Sequence, residues 1–491
     1  MRLPARKGHS MDRLGTTRWI AACGMILLAA SLTRGDLLQV SVPADPEAMM
    51  QGYEPVRSRL VTVDLAQLDA LAQSGGGSIA INFFPDALVN VEFRKVVRRS
   101  ASSYTLLGHV SGDDLSSAVV AVEGDVAIAT VRVPGLGTYI VDSLPGGGQV
   151  ACELNAGAGR RCACAASDGP LLGVAGYSEL PPADPLRDGS DSVIIDVLVI
   201  YTPAARDQAG GEDAMRALVF RAADEMNFSL ERTHIAPRIR LVGVQQIDYA
   251  EDPSDLLTDL ECMSLGWCGG SLQEPGCASV REPVGADLVS LIVQSNPYPP
   301  RGAAYLLRSL DDFWNADSVA FSVLKRPSLL DDTFCHELGH NLGCHHERED
   351  TSFPGLFDYS HAYRPQYGYQ WSTIMHTGVN SILAYSNPDA LYDGEPTGVP
   401  IDRPNSAHNA LTIAQSAAYV ATYREATVHP CLADITGDAV VDQHDLGVLL
   451  ASYEHPADSP LFDAGADLDG DNDVDRVDLG ILLDRYGTVC D

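Results

Sequence analysis

Basic residues are scarce in this chain. Its 491 residues hold 33 Lys and Arg against 66 Asp and Glu, a formal charge of −33. No nucleic-acid partner is expected, because phosphate binding needs clustered Lys and Arg. Such acidity suits solubility, divalent cations or a salty medium, and most of it reads as solvated surface. Long apolar runs are also lacking. The one that stands out, residues 20–32 (IAACGMILLAASL), is too short to favour a spanning helix. It follows Arg2, Arg6, Lys7, Arg13 and Arg18, with a single acid, Asp12, among them. A basic start, a short apolar stretch and small residues near its end read as an export signal over 1–34, so the protein is expected outside the cell with no membrane segment once the signal is removed. The full chain is 45% hydrophobic and 20% charged, which is globular, and its length suggests about three domains.

Cysteines are few and unevenly placed. Cys23 leaves with the signal; three more precede residue 170 (Cys152, Cys162, Cys164) and five lie between 262 and 344. Disulfides are the expectation for an exported chain. Spacing alone does not give their connectivity.

Three patterns divide the chain. Residues 35–165 alternate apolar and polar residues in short runs, as at 59–64, 78–83 and 118–122, and read as a domain of short strands. Residues 166–191 are rich in Gly, Pro and Asp and read as a linker. From 192 to 426 the pattern changes. Residues 193–201 form a near-continuous apolar run, as in a strand buried on both faces. A helix is expected over 212–231, with Met215, Leu218, Val219, Ala222 and Met226 on one side. Further strands are expected at 238–248, 287–294 and 318–324, and helices at 332–342 and 409–424. The last segment, 431–491, holds two copies of one pattern offset by 33 residues: DITGDAVVDQHDLGVLL at 434–450 and DLDGDNDVDRVDLGILL at 467–483.

Residues 335–347 read CHELGHNLGCHHE. His336 and His340 are four apart, so on a helix both imidazoles project from one face and can share a metal. Gly343 can take the positive φ that ends the helix and turns the chain. His346 then supplies a third ligand, and His345 is its competitor, disfavoured by spacing. Three histidines leave a position open for water, the mark of a catalytic rather than a structural zinc site. Glu337 is placed to take a proton from that water.

This stretch resembles the metzincin zinc peptidases, and the resemblance extends through 193–425. WSTIM at 371–375 is similar to the family's Met-turn, with Met375 beneath the zinc. YSNP at 385–388, PTG at 396–398, HNA at 408–410 and VATYR at 420–424 resemble the closing region of bacterial reprolysin-like members, and GADLV at 285–289 and GAAY at 302–305 the strands before the zinc helix. The resemblance implies an α/β catalytic domain with a mixed twisted sheet, and a peptide or protein substrate lying along an edge strand. That strand is expected at about 303–307. Two positions depart from the family: Glu347 follows the third ligand where reprolysins usually have Asp, and Thr377 stands where astacin-like members carry Tyr.

The flanking segments carry resemblances of their own. Residues 35–165 resemble the propeptide of a zymogen, β-rich and covering the cleft. Cys162 or Cys164, just before the linker, could then occupy the fourth zinc position as a thiolate. The competing reading is a disulfide between these two or with Cys152. In the repeats, Asp434, Thr436, Asp438, Asp442 and Asp445 fall at positions 1, 3, 5, 9 and 12 of a loop, and Asp467, Asp469, Asp471, Asp475 and Asp478 repeat them. That is oxygen-ligand spacing for calcium, with the backbone carbonyls of Val440 and Asp473 at position 7. Asp at position 12 followed by a Leu-Gly-x-Leu-Leu run in both copies resembles a dockerin type I module, small and helical, which implies a cohesin-like receptor. Two functions compete: an exported zinc endopeptidase made as a zymogen, and a non-catalytic scaffold whose peptidase domain is degenerate. The complete set of His336, Glu337, His340, Gly343, His346 and Met375 favours the first.

Overall fold

The computed structural model describes residues 36–40, 55–100, 102–133, 137–154, 162–165, 193–252, 255–265, 277–294, 300–310, 319–350 and 354–365. In the remainder it describes 371–377, 381–392, 394–425, 433–436, 441–455, 459, 461–463, 465–468 and 473–487. The export-signal reading falls outside these residues, as do Asp438, Asp469, Asp471 and Val440 of the repeats and the side chains of Cys162 and Cys164.

Alternating residues near the N-terminus build strands β1 (Leu38–Val40), β2 (Pro55–Val63), β3 (Gly77–Phe84), β4 (Ala87–Ser100) and β5 (Ser103–Val110). Strands β6 (Asp113–Glu123), β7 (Val126–Val133), β8 (Gly137–Ser143) and β9 (Gln149–Leu154) follow. All nine join one antiparallel sheet in the order β1-β2-β9-β8-β7-β6-β5-β4-β3. Asn82 of β3 links the two ends of the row: its side chain accepts from the Leu38 amide at 3.0 Å and donates to the Leu38 carbonyl at 2.9 Å. Helix α1 (Leu65–Gln73) departs from the expectation of strands alone. Its Leu68, Leu71 and Ala72 recur at helical spacing and bury against the sheet. The period-two rule sorts β7 cleanly, with Ala127, Ala129, Val131 and Val133 in the sheet's own core and Ile128 in a second core beyond it.

That second core belongs to a six-stranded sheet. Its elements are β10 (Cys162–Ala165), β11 (Ile194–Tyr201), α2 (Pro203–Ala209), α3 (Glu212–Arg232), β12 (Arg238–Gln246), α4 (Leu256–Leu265) and α5 (Ala278–Arg281). β13 (Leu288–Val293), β14 (Gly302–Tyr305), β15 (Phe321–Lys325) and α6 (Thr333–Asn341) complete it. Strand order is β10-β14-β15-β13-β11-β12, with β14 antiparallel to β15 and every other pairing parallel. β11 is buried from Ile195 to Tyr201, as its unbroken apolar run requires. The strand expected at 303–307 is present as β14, but it is not the edge. β10, contributed from before the linker, pairs along its outer side.

Downstream lie a small ribbon of β16 (Leu391–Tyr392) and β17 (Glu395–Pro396), then α7 (Asn409–Val420), α8 (Gln443–Ser452) and α9 (Arg476–Arg485). The last two are the apolar halves of the repeats. Each opens with a capping box, Asp442 with Asp445 and Asp475 with Asp478. Leu449 and Leu482, one from each copy, meet in a small core of their own. Among the described residues no helix is long and apolar enough to cross a membrane. The disulfide expectation is corrected at four positions: Cys152, Cys277, Cys335 and Cys344 are buried thiols, behaving as small apolar side chains.

Candidate metal centre

Helix α6 is buried along its whole length, so its polar residues must find partners inside the protein. It stops where the sequence indicates. Gly343 has φ of +87°, its amide donates to the His340 carbonyl at 2.9 Å, and the Cys344 amide donates to the Gly339 carbonyl at 2.8 Å. The reversal brings His346 back over the helix. His346 Nε2 lies 3.1 Å from His336 Nε2 and 3.1 Å from His340 Nε2.

Each ring is oriented from behind. His336 Nδ1 lies 3.0 Å from the Ile374 carbonyl, His340 Nδ1 2.8 Å from the Cys344 carbonyl, and His346 Nδ1 2.7 Å from Asp350 Oδ2. All three partners only accept, so each Nδ1 carries the proton and each Nε2 presents a lone pair. Three lone pairs converging in a buried place repel one another unless a cation sits among them. The donor set therefore fits a borderline-soft ion such as zinc, which bonds imidazole nitrogens at about 2.0–2.1 Å. His345 does not share the cluster; its ring lies between His346 and His361, at 5.5 and 5.6 Å between centroids.

The surrounding residues fix this arrangement. A Cβ built on Gly339 would collide with Met375 Sδ and stand 3.2 Å from the Tyr385 ring, so the helix rests directly on the Met375 turn. Tyr385 donates its hydroxyl to the Cys335 carbonyl at 2.7 Å. On the other side, Asn341 donates to the carbonyls of Tyr305, Val319 and Phe321 at 2.9–3.0 Å, and the Leu307 amide donates to the His340 carbonyl at 3.0 Å. These bonds hold β14 against α6. Glu337 is fully buried, and a Cβ on Gly302 would stand 2.5 Å from its Oε1. Both family departures meet at one place: Glu347 accepts from the Thr377 amide at 3.0 Å and from its hydroxyl. Burial pushes the Glu347 carboxyl up, but these bonds outweigh it and leave its pKa below the ordinary value.

β10 runs parallel to β14 with Cys162 opposite Gly302, Ala163 opposite Ala303 and Cys164 opposite Ala304. In the repeats, the carboxylates of Asp473, Asp475 and Asp478 come within 4.8 Å of one another. Asp473 was expected to offer its backbone carbonyl, and here its side chain joins the group. In the first copy the Asp445 carboxylate accepts from the amide and hydroxyl of Thr436 at 2.8 and 3.0 Å and from the Asp442 amide at 2.7 Å. Among the described residues the first copy makes no such three-acid group. Asp350, and Asn341 and Gly302 within the motifs quoted above, carry roles that the sequence did not assign to them. Only Asp350 had a local signal, an acid four residues beyond a ligand histidine.

Residues 191–387 match the family model of metallo-peptidase family M12, Reprolysin_5. A curated relative, the peptidyl-Asp metalloendopeptidase of Pseudomonas aeruginosa, is 28% identical over 254 residues, which are 48% of this chain and 41% of that protein. The chain thus spans less than half the length of that relative. Metalloproteinase-II from Bacteroides fragilis has 13% identity and a TM-score of 0.37, covering 69% of this chain and 94% of its own. A chaperone–substrate complex has 20% identity and a TM-score of 0.36, covering 48% of this chain and 36% of its own. The segment 191–387 is thus similar to the reprolysin-like metallopeptidases of family M12.

Proposed function

We propose that the protein is a zinc-dependent endopeptidase made as a latent precursor. The convergence of three Nε2 lone pairs beside the buried Glu337 carries this reading. His336, His340 and His346 would hold zinc, whose Lewis acidity would lower the pKa of a water and polarise the scissile carbonyl. Glu337 takes a proton from that water as it attacks and returns it to the leaving amine. β14 offers its outer backbone groups to an extended substrate, and Gly302 keeps that strand close to the base. The test is Glu337→Gln with zinc counted. Peptide cleavage should fall at least about 10³-fold, more than general acid–base catalysis alone is commonly worth at its low end, with zinc content unchanged. Cleavage that survives the substitution would return the scaffold reading.

Latency follows from β10. It fills the backbone positions on β14 that a substrate strand needs, and the register supports Cys162 rather than Cys164 as the residue that blocks the metal. Cys162 pairs with Gly302, the residue against Glu337, whereas Cys164 pairs two positions further on. A Cys162→Ser precursor should be measurably less latent than the parent, with β10 still limiting its activity, and a Cys164→Ser precursor should be as latent as the parent.

The reading extends to the flanks. The export signal over 1–34 places the protein outside the cell. The repeats bind calcium, with the second copy the tighter site, supported by the convergence of Asp473, Asp475 and Asp478. They dock on a cohesin-like receptor. Calorimetry with calcium on the full chain, against Asp475→Ala, tests the ion.

A further inference from the structure

Helix α3 was expected to bury one side, yet fourteen of its 21 residues are buried. A helix covered all round lies inside a core rather than on a surface. One side of α3 faces its own sheet, and the other faces the N-terminal sheet. Ile128, Ile140, Leu144, Val150 and Cys152 of that N-terminal sheet belong to the same apolar core as Met215, Leu218 and Val219 of α3.

Charges cross this boundary in both directions. Arg132 of β7 pairs with Glu225, which Arg221 also holds at 3.0 Å, and Arg99 pairs with Asp224. In the reverse sense Arg326 reaches Asp142 at 2.9 Å, and Arg216 reaches Glu123 at 2.9 Å. Arg132, Glu225, Asp142 and Arg326 are all buried. The Thr130 hydroxyl donates to the Leu330 carbonyl at 2.8 Å, and Arg232 donates to the Ser116 carbonyl at 2.9 Å. Buried pairs of this kind roughly balance their own desolvation, so they set the fit while the shared apolar core supplies affinity. An interface that resembles a domain core cut in half is the obligate sort. β10, by contrast, meets the peptidase sheet through a single four-residue ladder.

We propose that the N-terminal sheet is a permanent partner of α3. Once the linker at 166–191 is cut, the protein remains a two-chain complex, and the cleft opens by withdrawal of β10 alone. The N-terminal domain is then a lasting subunit that carries a detachable strand.

The experiment inserts a site-specific protease sequence within 166–191 of the full chain in a Glu337→Gln background, cuts to completion and follows elution by gel filtration. Both fragments should co-elute at the mass of the uncut chain, in low salt and in 0.5 M salt. Two separate folded species would overturn the proposal. Arg132→Met should speed fragment dissociation at least about tenfold, as loss of one partner of a buried pair does. Lys95→Ala, which removes only the exposed pair with Glu231, should change it less than about twofold. Equal effects from the two would also overturn it. Where Arg132→Met fails to fold, Asp142→Asn replaces it, with the same outcome expected. Elution is read without zinc or substrate, so this proposal and the peptidase reading fail separately.

Discussion

Gly302 and Glu337 touch across the gap between strand and helix: a Cβ on the first would stand 2.5 Å from Oε1 of the second and 2.9 Å from its Cγ and Cδ. The strand that would hold substrate and the side chain that would move the proton are therefore positioned by one contact. Gly302→Ala is expected to displace the carboxylate and lower kcat by tenfold or more, since small misplacements of a catalytic group are costly. Zinc content should be unchanged, and the melting temperature nearly so. An alanine enzyme with normal kcat would refute the contact's importance.

A second glycine bears on the metal. Gly339 lies against Met375 Sδ and the Tyr385 ring, with no room for a methyl group. Gly339→Ala overpacks this site and should destabilise the fold by about 1–3 kcal/mol. It should also weaken zinc retention, because His336 and His340 flank the position on the same helix. Thermal unfolding of the zinc-free protein isolates the packing effect, and chelator competition reads the metal.

Asp350 acts only through His346, 2.7 Å from its Nδ1. Asp350→Ala should reduce zinc affinity about 10–100-fold, the range seen when such outer partners are lost. Competition with a calibrated chelator would show this. An unchanged affinity would mean that the ring is oriented by packing alone.

Asp287 gives a pH-dependent prediction. Burial pushes its carboxyl up to about 7, although it accepts from the Asp196 and Arg424 amides at 2.9 and 3.2 Å. A carboxyl raised in the folded state favours folding while protonated, and that contribution is lost as pH climbs from about 4 through 7. The loss is on the order of a few kcal/mol. On moving from pH 5 to pH 8 the melting temperature of the parent should therefore fall by a few degrees relative to that of Asp287→Asn. A constant gap between the two would contradict the assignment.

The histidine cluster was legible because its geometry is local. Residues 336–346 carry both the helical spacing and the glycine that ends the helix, so the meeting of three imidazoles could be placed from one short stretch. Strand β11 was legible for a similar reason, since burial on both faces leaves an unbroken apolar run. The supports of the site were not. Two of the three Nδ1 partners are backbone carbonyls, at Ile374 and Cys344, and a carbonyl leaves no mark on residue identity. The closeness of Gly302 to Glu337 depends on how β14 packs on α6, which spacing does not encode. The outer side of α3 was hidden because its partner is a sheet folded from a distant segment. Arg221 and Glu225 there are opposite charges four residues apart, and nothing in their spacing marks them as buried. The thiols at Cys335 and Cys344 are not legible as such, because residue type does not tell a cysteine packed in the core from a bridged one.

The most direct test of the metal reading is peptide turnover by the processed protein, with zinc counted in the same sample as a chelator is titrated in. Turnover and zinc should disappear together, at about one ion per catalytic domain, and return together when zinc is restored. Full turnover in protein stripped of zinc would contradict the account.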